Sequence, residues 1–172
     1  GIIAYACTTT SSSFLIETEN FDNKGGWVID QQFVEQMGSP YLLAHGMGNP
    51  VENARTTIRL PQTGKFYLWV RTMNWAPGEW DAPGQFRLII NGMELNQDLG
   101  TNPGWNWQYA GEVELTSPKV NIELKDLTGF SGRCDAIYFS KENVSPPNQK
   151  EELAAWRKEE TGEPDVPKEK KE

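Results

Sequence analysis

The sequence predicts an all-β domain, an antiparallel β-sandwich of the jelly-roll kind, followed by a linker and one short helix. Glycine (16) and proline (11) are frequent among the 172 residues, and they break the chain into short apolar runs. Turn signals recur about every 8–12 residues, the spacing typical of sandwiches. Several runs alternate apolar and polar residues, as strands with one buried face do.

The first half of the domain consists of short candidate strands separated by turns. The best is KFYLWVRT, because β-branched and aromatic residues are dense there. The weakest is WVIDQQF, since the overlapping FVEQMGS could instead open a short helix. The candidate strands are FLIETE at 14–19, WVIDQQF at 27–33, YLLAHG at 41–46, ARTTIRL at 54–60 and KFYLWVRT at 65–72.

The second half begins with a hairpin over 85–95, because Asn91-Gly92 favours a type I′ turn. Strands are then predicted from Trp105 to Leu115, at 118–127 and at 134–140. In the second of these, PKVNIELKDL, every other residue is apolar, which predicts one buried face. Loops are predicted at 74–84 and 128–133.

After Lys141 the composition changes to a proline-bearing linker. A helix is predicted at 148–161, with Asn148 as its N-cap and a charged tail behind it. The predicted domains are therefore a spacer at 1–13, the sandwich at 14–141, and a linker, helix and tail at 142–172. We expect that last segment to be dispensable for the sandwich, because Leu153 and Trp156 form only a narrow apolar stripe.

The N-terminus reads GIIAYACTTTSSSF, and Ala4-Tyr5-Ala6 has the small-residue pattern of a signal-peptidase site. Cys7 followed by a Ser/Thr tract resembles a bacterial lipoprotein processing site, although Ala4 stands where Leu is usual. We therefore expect export, to the periplasm or the outer membrane, with a lipid on Cys7 as the only attachment to a membrane. The alternative is an unstructured tail with a chance cysteine.

Several function classes lack support in the sequence. A formal net charge of −8 argues against nucleic-acid binding. The single histidine, His45, lies in an apolar strand, and Cys134 has no helix start that would lower its pKa. Neither a GxGxxG motif nor a P-loop is present. The sequence therefore predicts a non-enzyme with no catalytic residue.

Two carboxylates form a candidate metal site. Glu17 and Glu19 are two residues apart on a predicted strand, so they would share a face. Like charges so placed repel each other unless a cation bridges them, and carboxylate oxygens suit Ca²⁺. The alternative is that both side chains turn into water.

Aromatic residues in loops form a candidate ligand site. A flat ring can stack on the C–H face of a sugar while polar neighbours bond its hydroxyl groups. The alternative is that these rings fill the core, and it applies most to Trp107 and Tyr109, because they lie deeper in a strand. The predicted ligand-binding residues are Trp75, Trp80, Trp105, Asn106, Trp107, Phe130 and Arg133.

Three motifs resemble those of carbohydrate-binding modules of families 6 and 35. FLIETENF is similar to their opening strand, IRLPQTGKFYLWVRT to a central turn and strand, and CDAIYF to their last strand. The resemblance covers most of 14–140 and implies a galactose-binding-like fold. It also implies that Glu17, Glu19 and Asp135 hold a structural Ca²⁺, and that the ligand is a saccharide or polysaccharide.

A second resemblance is to the N-terminal module of secreted FAD-dependent oxidoreductases of Bacteroidetes. It lies in GGWVIDQQFVEQMGSPYLLAHGMGNPVENA and LTGFSGRCDAI. It implies a non-catalytic accessory module of a larger exported enzyme, with a downstream oxidoreductase domain as partner and no FAD in this chain. The alternative function is a protein-docking module that packs against that domain or a partner subunit.

Overall fold

The computed structural model describes residues 13–30, 40–76, 83–148 and 152–156. Ten strands in these segments form two antiparallel sheets, which confirms the predicted β-sandwich. The six-stranded sheet contains β1 Ser13–Glu17, β2 Val28–Asp30, β3 Tyr41–His45, β5 Gly64–Thr72, β8 Asn106–Leu115 and β10 Phe130–Ser140. The four-stranded sheet contains β4 Ala54–Arg59, β6 Phe86–Ile90, β7 Met93–Glu94 and β9 Lys119–Asp126.

The strand order places the first and last strands side by side. The six-stranded sheet runs β2-β3-β10-β5-β8, and β1 pairs with β10 as well. The four-stranded sheet runs β4-β9-β6-β7. The long β10 therefore contacts β1, β3 and β5, and residues from four parts of the sequence meet along it.

The main core lies between the sheets and follows the predicted alternation. On β9, Val120, Ile122 and Leu124 are buried, and the residues between them are more exposed. On β5, Phe66 and Val70 belong to the same core. The predicted hairpin is confirmed too: Asn91 and Gly92 have φ of 52° and 84°, as a type I′ turn requires.

Two strand boundaries differ from the prediction. The first strand ends at Glu17, and Thr18–Asn20 form a 3₁₀ helix. The Thr18 hydroxyl donates to the carbonyl oxygens of Cys134 and Asp135 at 2.6 and 3.0 Å, which turns the chain onto β10. The last strand begins at Phe130, inside a predicted loop, with an irregularity in register between Phe130 and Gly132.

A second apolar cluster covers the outer face of the six-stranded sheet. Residues 152–156 are helical, and Leu153, 1% exposed, packs in this cluster. The Trp156 ring lies 5.6 Å from that of Trp107 and 4.8 Å from that of Tyr138. These contacts argue against the expectation that the C-terminal segment is dispensable. Among the described residues, no helix is long and apolar enough to cross a membrane.

Candidate functional site

The outer face of the six-stranded sheet carries most of the predicted site residues. Val70 lies in the main core, so Arg71, its neighbour on β5, points to the opposite face. The same alternation places Tyr41 of β3 on that face, because Leu42 faces the core. Cations and aromatic rings alternate along this face in the order Arg71, Trp105, Tyr41, Arg133 and Trp75, and we call this series the outer-face row.

The loop end of this row contains an exposed aromatic pair. Trp75 is 37% and Phe130 49% exposed. The Trp75 ring nitrogen donates to the Phe130 carbonyl at 2.8 Å, and the Arg133 guanidinium lies 5.8 Å from the centre of the Trp75 ring. Gly84 lets the ring approach, because a Cβ there would lie 3.0 Å from the Trp75 ring nitrogen. The structure thus brings together three of the predicted ligand-binding residues.

Polar groups and a flexible apolar side chain surround the aromatic pair. His45 lies opposite Phe130 in the pairing of β3 with β10, and its Nδ1 is 3.1 Å from the Ser131 hydroxyl. Ser131 adopts a φ of 62°, a left-handed conformation unusual for serine. Met47 is 79% exposed in the neighbouring turn. The surface therefore offers ring faces with hydrogen-bonding groups beside them.

Buried bonds hold the loops around the pair. Both Asp126 oxygens accept from backbone amides: Oδ2 from Val51 at 3.0 Å, and Oδ1 from Thr128 and Gly129 at 3.2 and 3.0 Å. The Gly129 carbonyl in turn accepts from Gly46 and Gly48. Asp126 is buried, so these bonds are shielded from water. The sequence analysis missed Asp126 because it reads as the polar end of a strand.

Trp105 lies further along the row and is half-buried. Its ring centre lies 4.9 Å from that of Tyr41 and 5.7 Å from the Arg71 guanidinium carbon. The Tyr41 hydroxyl donates to Asp30. Burial first, and then this hydrogen bond, raise the pKa of Tyr41, so the hydroxyl stays protonated. Trp105 is thus packed between two side chains and does not stand out as an open platform.

The remaining predicted ligand residues divide into two groups. Asn106 turns back on its own loop and donates to the Gly104 carbonyl at 2.7 Å. Trp107 is 7% exposed, donates to the Pro147 carbonyl at 2.9 Å and belongs to the second cluster, so its burial argues against ligand contact. Trp80 lies outside the described residues, and so does the predicted lipidation site Cys7.

The three predicted metal ligands lie together on the outer face. One ligand oxygen each from Glu17, Glu19 and Asp135 lies within 4.8 Å of the others. The grouping arises differently from the prediction, because Glu19 is on the 3₁₀ helix and not on the strand. Asp135 is the extra residue of a bulge between Cys134 and Ala136 opposite β5. Bulges of this kind re-aim a side chain, and here the buried carboxylate meets the two glutamates.

Arg71 links this carboxylate cluster to the aromatic residues, and the sequence analysis missed it. Its Nη1 lies 3.1 Å from Asp135 Oδ2, and the two side chains are 5% and 0% exposed. A buried charge requires a partner, so this pair depends on both members. The signal was present, because an arginine inside the apolar and aromatic run KFYLWVRT needs an acceptor.

The fold resembles those of known carbohydrate-binding modules, although no protein-family model and no curated protein matches the sequence. The GH26-CBM35 β-(1,4)-mannanase of Podospora anserina is similar with a TM-score of 0.61 and 17% identity over 80% of this chain and 29% of that one. A family 35 module from Clostridium thermocellum is similar with a TM-score of 0.57 and 18% identity, over 73% of this chain and 97% of that one. The CBM6 module of a Zobellia galactanivorans laminarinase is similar with a TM-score of 0.54 and 15% identity, over 75% of this chain and 99% of that one. The likeness establishes the shared sandwich fold, and this chain spans less than a third of the mannanase.

Proposed function

We propose that this chain is a non-catalytic module that binds saccharide at the loop end of the outer-face row, through Trp75, Phe130 and Arg133. The observation that supports it is the exposed aromatic pair, joined by the bond from the Trp75 ring nitrogen to the Phe130 carbonyl and lying beside a guanidinium. The fold is one that family 6 and family 35 carbohydrate-binding modules share. The proposed site thus contains only part of the residue set that the sequence suggested.

The chemistry of the site suits a sugar ring. The exposed faces of Trp75 and Phe130 can stack on axial C–H groups, and stacking requires no change in protonation. His45 and Ser131 can bond hydroxyl groups at the edge of such a ring, and the Arg133 guanidinium, whose Nε and Nη1 are buried, lies against the Trp75 ring. Because Asp126 and Gly129 hold the loop of Phe130, that loop loses little conformational entropy when a ligand binds.

Replacing either exposed ring by alanine is expected to abolish most saccharide retention without unfolding the chain. One stacked ring contributes on the order of 1–3 kcal/mol, by analogy with bases stacked on aromatic side chains. That corresponds to roughly a 5- to 150-fold weaker affinity. Affinity electrophoresis of Trp75→Ala and Phe130→Ala in gels that contain soluble polysaccharides measures the change directly.

Met93→Ala is the matched control, because Met93 is an exposed apolar residue on β7, in the other sheet. It should be retarded like the unsubstituted chain. Retention that survives both ring substitutions would contradict the proposed site. Variants with lowered melting temperatures would show instead that the two rings stabilise the fold.

A second candidate function is docking of another protein on the same loop end. The high exposure of Met47, next to the aromatic pair, favours it, because flexible apolar side chains are common in protein interfaces. The sequence resemblance implies that the partner is an oxidoreductase domain of the same exported enzyme, and we keep that partner in this proposal. Retention of no polysaccharide by the folded, unsubstituted chain would favour docking.

We also propose that Glu17, Glu19 and Asp135 bind Ca²⁺ with a structural role. The donor set fits: three carboxylates lie close together, and the Arg71 guanidinium pairs with one of them. Calcium prefers carboxylate and carbonyl oxygens in flexible geometry. Bound there, the ion would join β1, the 3₁₀ helix and β10.

A further inference from the structure

The linker after the sandwich is bonded to the outer face at three points. Asn148 Oδ1 accepts from Arg71 Nε at 2.9 Å, and its Nδ2 donates to the Trp105 carbonyl at 2.7 Å. The Pro147 carbonyl accepts from the Trp107 ring nitrogen at 2.9 Å. Asn148 therefore joins a residue of the carboxylate cluster to the turn that carries Trp105.

Arg71 is shared between Asn148 and the carboxylate cluster. Its Nε faces Asn148 while its Nη1 bonds Asp135 Oδ2. A guanidinium is planar, so fixing one nitrogen fixes the directions of the others. Without the Asn148 oxygen, Arg71 Nε would lose this hydrogen bond inside the fold, and the guanidinium could turn toward the carboxylates close by. The orientation of Arg71, and with it that of Asp135, therefore depends on Asn148.

We propose that Asn148 is a positioning residue for the cation site, acting through Arg71 on the carboxylate of Asp135. This inference rests on the calcium part of the proposed function. Since coupling between two binding events is reciprocal, calcium also strengthens the attachment of the linker to the sheet. The C-terminal segment and the cation site thus form one linked unit.

The positive charge of Arg71 could instead weaken calcium binding. A cation near three carboxylates is repelled by a guanidinium 3.1 Å from one of them. If repulsion dominated, releasing Arg71 from Asn148 would tighten calcium binding. The geometry points to positioning, because Asn148 holds the Nε atom of the same guanidinium whose Nη1 bonds Asp135 Oδ2.

Isothermal titration calorimetry of the full chain with Ca²⁺ tests this positioning role. Asn148→Ala is expected to bind calcium about fivefold or more weakly, at the lower end of typical coupling. Its melting temperature in EDTA should fall by only a few degrees, because the Asn148 side chain is exposed but two hydrogen bonds are lost. Asn148→Asp should keep the affinity, since it retains an oxygen for Arg71. Ser145→Ala is the matched control, because the Ser145 hydroxyl donates to the carbonyl of the adjacent Pro146.

The other outcomes overturn the inference in distinguishable ways. Equal or tighter binding by Asn148→Ala, with normal binding by the unsubstituted chain, refutes the positioning role and leaves the calcium site standing. No binding by the unsubstituted chain refutes both. A loss of affinity that Leu153→Ala reproduces in full assigns the effect to helix packing and removes the specific role of Asn148.

Discussion

Replacing Leu153 by alanine is expected to lower the free energy of unfolding by about 2–5 kcal/mol, the usual cost for a buried leucine. The side chain is almost fully buried against the outer face, among Leu15, Trp107 and Tyr138. For a chain of this size each kcal/mol corresponds to about 2–4 °C in melting temperature. Differential scanning calorimetry measures the shift.

Glu152→Ala is the matched control, since Glu152 is exposed on the same short helix. It should melt close to the unsubstituted chain. If Leu153→Ala melts unchanged, and a chain truncated after Lys141 does too, then the helix does not stabilise the sandwich and the boundary predicted from the sequence stands.

Calcium is expected to raise the melting temperature of the chain. Binding to the folded state alone adds about 2.7 kcal/mol when free calcium is a hundredfold above the dissociation constant. The physical reason is the repulsion among Glu17, Glu19 and Asp135, which a divalent cation converts into attraction. Scans in EDTA and then in millimolar Ca²⁺ measure the shift.

Glu17→Gln should lose most of this calcium-dependent gain. Glu114→Gln is the control, because Glu114 is an exposed carboxylate on β8 and lies outside the cluster. Identical melting of the unsubstituted chain in EDTA and in calcium would refute the metal proposal.

The parts of the fold that the sequence predicted are those that local chemistry decides. Alternation decides which face of β9 is buried, and Asn91-Gly92 decides the turn between β6 and β7. Such features need no knowledge of distant residues. The same holds for the loop rings, since Pro and Gly around Trp75 predict a turn.

The parts that the sequence did not predict depend on contacts between distant segments. Asp135 joins the glutamates because β10 has a bulge there, and a bulge is set by the pairing with β5. Trp105 is covered by Tyr41, which is distant in sequence. The second cluster was indicated by the sequence. Trp107 and Tyr138 face outward from strands whose other face lies in the core, and aromatic rings on an outer face are normally covered by another segment.

The measurement that tests the central proposal most directly is a glycan array probed with the unsubstituted chain and with the Trp75→Ala, Phe130→Ala double variant. Both proteins are first shown to be folded by circular dichroism. We expect the unsubstituted chain to retain a defined set of glycans and the double variant to retain none of them. A folded chain that binds no glycan, or a double variant that binds the same set, would contradict it.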